Sequence, residues 1–160
     1  MPDKHTGGLR RRDPATIDLP EGKVRVLESH HAADFEMETG AWPFHKICWV
    51  AVGSGQLESG KGLSPLSRDD FLLLPASWPH RFIDSPENPL TLVILCLSPA
   101  YLSRDPEGHL EVFWEEALRH HPPGQPACAR SAFHRSSLVE LFRLALREQG
   151  NRRPGWETAL

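Results

Sequence analysis

Two histidines stand where neighbouring strands could bring imidazoles together. His45 heads the run "HKICWVAVG", and His80 closes "FLLLPASWPHRF", where an apolar stretch reaches Pro75 and turns back through Trp78 and Pro79. Imidazoles so placed can ligate a first-row metal, bind an organic ligand, or satisfy a buried polar group. Catalytic zinc or iron sites take three protein ligands and keep a position open, and these two histidines supply only two. His30, His31 and Glu36 are candidates for a third, but nothing in their spacing requires it. The reading is therefore a ligand pocket with no metal cofactor; if a divalent metal binds at all, His45 and His80 hold it.

Strand alternation puts His45, Ile47, Trp49 and Ala51 on one face and Lys46, Cys48, Val50 and Val52 on the other. The first set is the face expected to line a barrel interior, where His45 and His80 from neighbouring strands can converge. An indole face and two imidazoles suit a polar ring or a sugar-like ligand, whereas the competing use of Trp49 and Trp78 is core packing.

Three regions must position these residues. Residues 1–22 read as an N-terminal tail. Residues 23–104 alternate in strand fashion through "KVRVLES", "DFEMETG", "HKICWVAVG", "GQLESGKGLSPLS", "DDFLLLPASWPHRFID" and "PLTLVILCLS". Short strands at this spacing, with turn residues between them, predict an antiparallel sandwich or barrel. Residues 105–160 change to a helical pattern. Asp105 and Pro106 open one predicted helix, with Leu110, Phe113, Trp114, Ala117 and Leu118 on one face before Pro122. A capping box from Ser137 to Glu140 opens the next, which closes at Gly150. Its stripe Leu138, Leu141, Phe142 and Ala145 is widened by Val139, Leu144 and Leu146, more apolar surface than one neighbour needs. One side is assigned to the barrel and the other to a partner subunit in a homodimer, the alternative being a helix packed deep within its own domain.

Composition excludes several classes. The chain has 160 residues, enough for one domain, with a formal charge of -3 that gives no broad basic surface for nucleic acid. Arg10, Arg11 and Arg12 read as a solvated part of the tail. No apolar stretch is long enough to span a membrane, and the basic opening lacks the apolar core of a secretory signal, so a cytoplasmic setting is expected. Cys48, Cys96 and Cys128, odd in number and widely spaced, indicate reduced thiols rather than a disulfide framework.

The strand segments resemble the cupin superfamily. Its second motif, G-x5-P-x-G-x2-H-x3-N, is met by "DFLLLPASWPHRF" through Pro75 and His80, with Asp69 and Asp70 in place of the first glycine, Ser77 in place of the second and Asp84 at the asparagine position. Its first motif, G-x5-H-x-H-x3-4-E-x6-G, is met by Gly40 and His45, but Ile47 replaces the second histidine and Ala51 or Val52 the glutamate. The resemblance implies a mainly β, jelly-roll cupin barrel followed by two C-terminal α-helices, its metal triad broken. The order of barrel and helices, ending "LVELFRLALREQGNRRPGWETAL", resembles the N-terminal sensor and dimerisation domain of AraC-type transcription regulators. That implies a small effector, with a sugar as one candidate, in a pocket of His45, Ile47, Trp49, Trp78 and His80. It also implies a dimer interface of Leu138, Leu141, Phe142 and Ala145, and DNA contact only through a helix-turn-helix module absent from this chain. The alternatives are a metal-dependent cupin enzyme of dioxygenase or isomerase type and a stand-alone carbohydrate-binding cupin.

Overall fold

The computed structural model describes residues 9–126 and 132–151. Seven strands form two antiparallel sheets: β1 (Val24–His30), β2 (His45–Val52), β3 (Ser54–Ser59), β4 (Gly62–Ser67), β5 (Phe71–Leu74), β6 (His80–Asp84) and β7 (Thr91–Leu97). The larger sheet has the order β1-β7-β2-β5 and the smaller β4-β3-β6. Where a barrel was expected, the described residues form two facing antiparallel sheets. "DFEMETG", expected as a strand, is irregular; its Gly40 forms an isolated bridge with His80, and its Met37 Sδ accepts the Phe82 N–H of β6.

Alternation along each strand of the larger sheet feeds two different cores. Cys48, Val50, Leu72, Leu74, Leu92, Ile94 and Cys96 meet Leu57, Leu66 and Phe82 of the smaller sheet. The intervening residues Val26, Trp49, Phe71 and Val93 meet Phe142 and Ala145 of the last helix, and Val24 and Leu97 meet Leu102 and Trp114. A sheet covered on both faces carries apolar residues at every position, which is why "FLLL" and "LVILCL" show no polar alternation.

The helices are α1 (Pro99–Leu102), α2 (His109–His120) and α3 (Ala132–Asn151). Asp105 does not start α2 directly. Asp105 to Gly108 closes a turn, with Gly108 N–H on Asp105 O and Gly108 at φ 71°, so the helix begins at His109. The Asp105 carboxylate nevertheless accepts the Leu110 N–H in the first turn (3.2 Å). Trp114 is buried as expected, whereas Phe113 is 74% exposed. In α3 the Ser137 to Glu140 box lies inside the helix, which starts at Ala132 and continues through Gly150 to Asn151. The final "GWETAL" lies outside the described residues.

Residues 9–22 do more than trail into solvent. Arg11 pairs with the end of β1 (Arg11 N–H to His30 O, 2.7 Å; Ala32 N–H to Arg11 O, 2.7 Å), and Ile17 and Leu19 pack against the inter-sheet core. Two apolar side chains of the described part of the tail thus cover the sandwich edge.

Gly53 joins β2 to β3 at φ 91°, and a β-carbon there would stand 2.2 Å from the Pro89 carbonyl oxygen. The neighbour is backbone and cannot swing aside. Gly53→Ala is expected to lower stability by about 2–4 kcal/mol, read as a reduced urea midpoint; an unchanged midpoint would show that the β2–β3 corner can relax.

Candidate functional site

Strand β2 is where sequence and structure part company. Lys46 and Cys48, not His45 and Ile47, point between the sheets. Trp49 lies under α3 beside Phe71 and Phe142, and Ile47 packs into both helix-facing clusters. His45 sits against the Trp114 ring of α2 (centroids 4.7 Å apart), and its Nδ1 accepts the Ala76 N–H at 3.0 Å. Burial lowers its pKa. The expected pocket therefore divides. His80 and Trp78 belong to the inter-sheet side, while His45, Ile47 and Trp49 form the seat of the helices. The reason is the second apolar layer: the helices need an apolar strand face as much as the facing sheet does.

The inter-sheet site is built around Lys46, only 4% exposed. Its Nζ lies 3.4 Å from His80 Nε2 and 3.4 Å above the Trp42 ring, with Phe44 5.7 Å away. Three local features fix His80. Gly40 and His80 exchange backbone hydrogen bonds (3.1 and 3.0 Å), Ser77 N–H reaches Trp42 O (2.7 Å), and His80 Nδ1 lies 2.8 Å from Trp78 O. A carbonyl only accepts, so Nδ1 carries the proton and Nε2 presents a lone pair to the ammonium. His80 is thereby held neutral, its pKa lowered to about 4 by burial and then by the Lys46 charge. Burial lowers Lys46 to about 8, and pushes Cys48 and Cys96 up to about 12. Among the described residues no carboxylate pairs with Lys46: its contacts are a neutral imidazole and aromatic faces.

Lys46 lines a cavity of about 30 Å³ with Trp42, Ser29, His31, Phe82 and Ile94, closed on one side by Pro14, Ala15 and Ile17 of the N-terminal segment. His31 stacks on Phe35 (3.6 Å) and its Nδ1 meets both Asp84 carboxylate oxygens (2.9 and 3.0 Å), one of which also accepts the Leu90 N–H (2.7 Å). Pro14, Phe35, Met37 and Phe82 also border an open groove of about 740 Å³. Lys46, Trp42, Ser29 and His31 are the residues that sequence reasoning missed as a group. The available signal was Lys46 itself, a lone cation inside an apolar run.

The alternative of a cupin metal at His45 and His80 can be weighed on these donors. His80 has one nitrogen on a carbonyl and the other facing an ammonium, and His45 lies on the opposite face of the sheet. The two cannot share an ion, and a cation at His80 Nε2 would meet the Lys46 charge. Among the described residues no three His, Cys, Asp or Glu side chains gather as a metal set. The residues do not fit a cupin metal.

No family model and no curated protein matches this chain. Among solved structures it is similar to a cupin domain from Bordetella pertussis, with 19% identity over 57% of this chain and 99% of that one, at a TM-score of 0.44. A Ralstonia eutropha protein provisionally named a mannose-6-phosphate isomerase shares 16% identity over 50% of this chain and 79% of that one (TM-score 0.39). A Cupin 2 conserved barrel domain protein from Salinispora arenicola shares 18% over 51% and 65% (TM-score 0.37). Likeness at this level assigns neither family nor activity. Among the described residues no helix is long and apolar enough to cross a membrane.

The buried groups give stability a definite pH dependence. Between pH 8 and 10.5 the unfolded chain holds a proton on Lys46 that the folded chain has released, so this group makes stability rise with pH. His80 does the same between pH 4 and 6.5. Cys48 and Cys96 oppose the upper rise from pH 9, because the unfolded thiols ionise first. The comparison of wild type with Lys46→Met isolates the lysine. The variant is expected to be more stable at pH 7 by about 1–3 kcal/mol in urea denaturation, the gap closing between pH 8 and 10.5. A variant less stable at pH 7, or a gap independent of pH, would refute this account of the buried ammonium.

Proposed function

We propose that this chain is a cupin-like ligand-sensing domain, of the kind found in AraC-type regulators, in which an effector between the sheets is read out by helix α3. The observation that carries the reading is the two-faced use of β2. Lys46 and Cys48 face the cavity side, while Ile47 and Trp49, their immediate neighbours, bear α2 and α3. A shift of β2 by an effector is therefore a shift in the seat of α3. The helix is also tied to β1, whose Val26 N–H donates to Gln149 Oε1 (2.7 Å) and whose Val26 carbonyl accepts from Gln149 Nε2. A ligand that favours one arrangement of β2 then biases the helix by linkage.

Backbone conformation supports the cupin part of this reading. Asp69 and Ser77, which stand where the motif has glycines, are the non-glycine residues with positive φ among those described (70° and 61°). The positions have kept the glycine conformation without the glycine. The cavity beside Lys46, about 30 Å³, favours an effector smaller than the sugar-like ring that the aromatic lining suggested.

The dimer interface is proposed in reduced form. Phe142 and Ala145 are buried against their own sheet, which corrects the expectation that they face a partner. Leu138, Leu141 and Leu144 remain exposed, and these are the positions for a second copy, with Leu141 at 60%. In sedimentation equilibrium at micromolar concentration the chain is expected to be a dimer and Leu141→Glu a monomer with an unchanged melting temperature. Phe142→Ala should instead lose about 3–5 kcal/mol of stability. A monomeric wild type removes the dimer from the proposal.

Two further tests bear on sensing. The regulator reading requires the natural reading frame to encode two helix-turn-helix units beyond Leu160, so a downstream sequence without them overturns it. In hydrogen exchange, an effector bound beside Lys46 is expected to change protection across residues 132–151 as well as around Lys46. Protection unchanged in α3 would break the coupling.

A further inference from the structure

We propose that the inter-sheet cavity is a receptor for a small monocarboxylate, with the Lys46 ammonium as its counter-ion. This rests on the sensing reading and names the ligand class. A buried ammonium is strongly disfavoured unless something neutralises it. Here the cation is 4% exposed, borders a cavity, and meets no carboxylate among the described residues. The neutral His80 takes one N–H and the Trp42 face attracts the charge, but neither supplies a negative charge.

Size and surroundings narrow the anion. The cavity has room for about two water-sized groups, which suits the head of formate, acetate or propionate rather than phosphate or a ring. Ser29, whose hydroxyl can donate to a carboxylate, lines the same cavity. The Asp84 carboxylate is held by His31 Nδ1 and Leu90 N–H, and it borders the neighbouring groove rather than the cavity. That groove carries Asp13, Glu36, Glu38 and Asp84 against Arg81 alone, and Arg81 is already paired with Glu58. A short apolar tail can lead toward it past Phe35, Met37 and Phe82, whereas a second carboxylate would meet like charge. The site therefore selects one carboxylate over two.

Calorimetric titration of the whole chain at pH 7 with sodium acetate and propionate tests this, with propionamide and succinate as matched controls. The monocarboxylates are expected to bind with Kd on the order of 1 mM, and the controls at least about tenfold more weakly. Lys46→Met, with its fold checked by circular dichroism, should lose about tenfold or more. Affinity should also fall as pH rises above about 8, where Lys46 discharges. His80 from β6 is neutral there, and the Cys48 and Cys96 thiols of β2 and β7 hold their protons to about pH 12. His31 at the end of β1 faces the cavity as well, so Lys46→Met is titrated across the same pH range and should show no such fall. Equal binding of propionamide, equal affinity in Lys46→Met, or no monocarboxylate binding overturns the assignment. If a neutral ligand changes α3 protection while propionate does not bind, the carboxylate assignment fails and the sensing reading stands. If propionate binds through Lys46 and α3 protection stays unchanged, the sensing reading fails and the carboxylate site stands.

Discussion

The middle of the larger sheet is buried on both faces, and most of what is distinctive about this molecule follows from that constraint. A sheet with one wet face can turn its polar residues to water. Strand β2 has no such outlet for Lys46, because α2 and α3 lie over one side and the smaller sheet over the other. The lysine is therefore held inside, where its charge is met by an indole face and an imidazole lone pair. The same double coverage places the cavity wall and the helix seat on consecutive residues of one strand.

The inside of the sandwich is an electrostatic environment as much as a packed one. Trp78 O fixes the His80 proton on Nδ1, and this choice of tautomer turns a lone pair toward Lys46. A protonated His80 would place two cations 3.4 Å apart, so the Lys46 charge adds to burial in keeping the proton affinity of His80 low. The metal-binding arrangement expected of a cupin has no place in this pattern. One histidine is committed to an ammonium, and the other supports Trp114 of α2 on the far face.

Segments without regular structure complete the site. Residues 9–22 cross the edge of the sandwich and supply Pro14, Ala15 and Ile17 to the cavity wall. The β5–β6 corner holds its shape through Ser77 in a left-handed conformation, bonded to Trp42 O. At the other side of Trp78 a β-carbon on Gly124 would stand 2.3 Å from the indole, so the chain after α2 closes onto this corner only through glycine. The cavity is thus bounded by parts of the chain far apart in sequence.

What the sequence determined by itself was periodicity and punctuation. Strands at "VRVLESH" and "HKICWVAV", the Gly60 to Gly62 hairpin, the turn through Pro75 to Pro79 and the two longer helices were all legible, because local turn chemistry and side-chain spacing encode them. Trp114, Phe142 and Ala145 were legible as apolar helix positions, but not the surface they would meet. Which face of β2 points inward was decided only by tertiary structure. In a two-faced apolar strand either parity buries the same kind of surface, and the histidine at its head suggested the wrong one. The packing of α2 and α3 on His45, Ile47 and Trp49 left Lys46 to face the smaller sheet, and no local signal in "HKICWVAV" could record that choice.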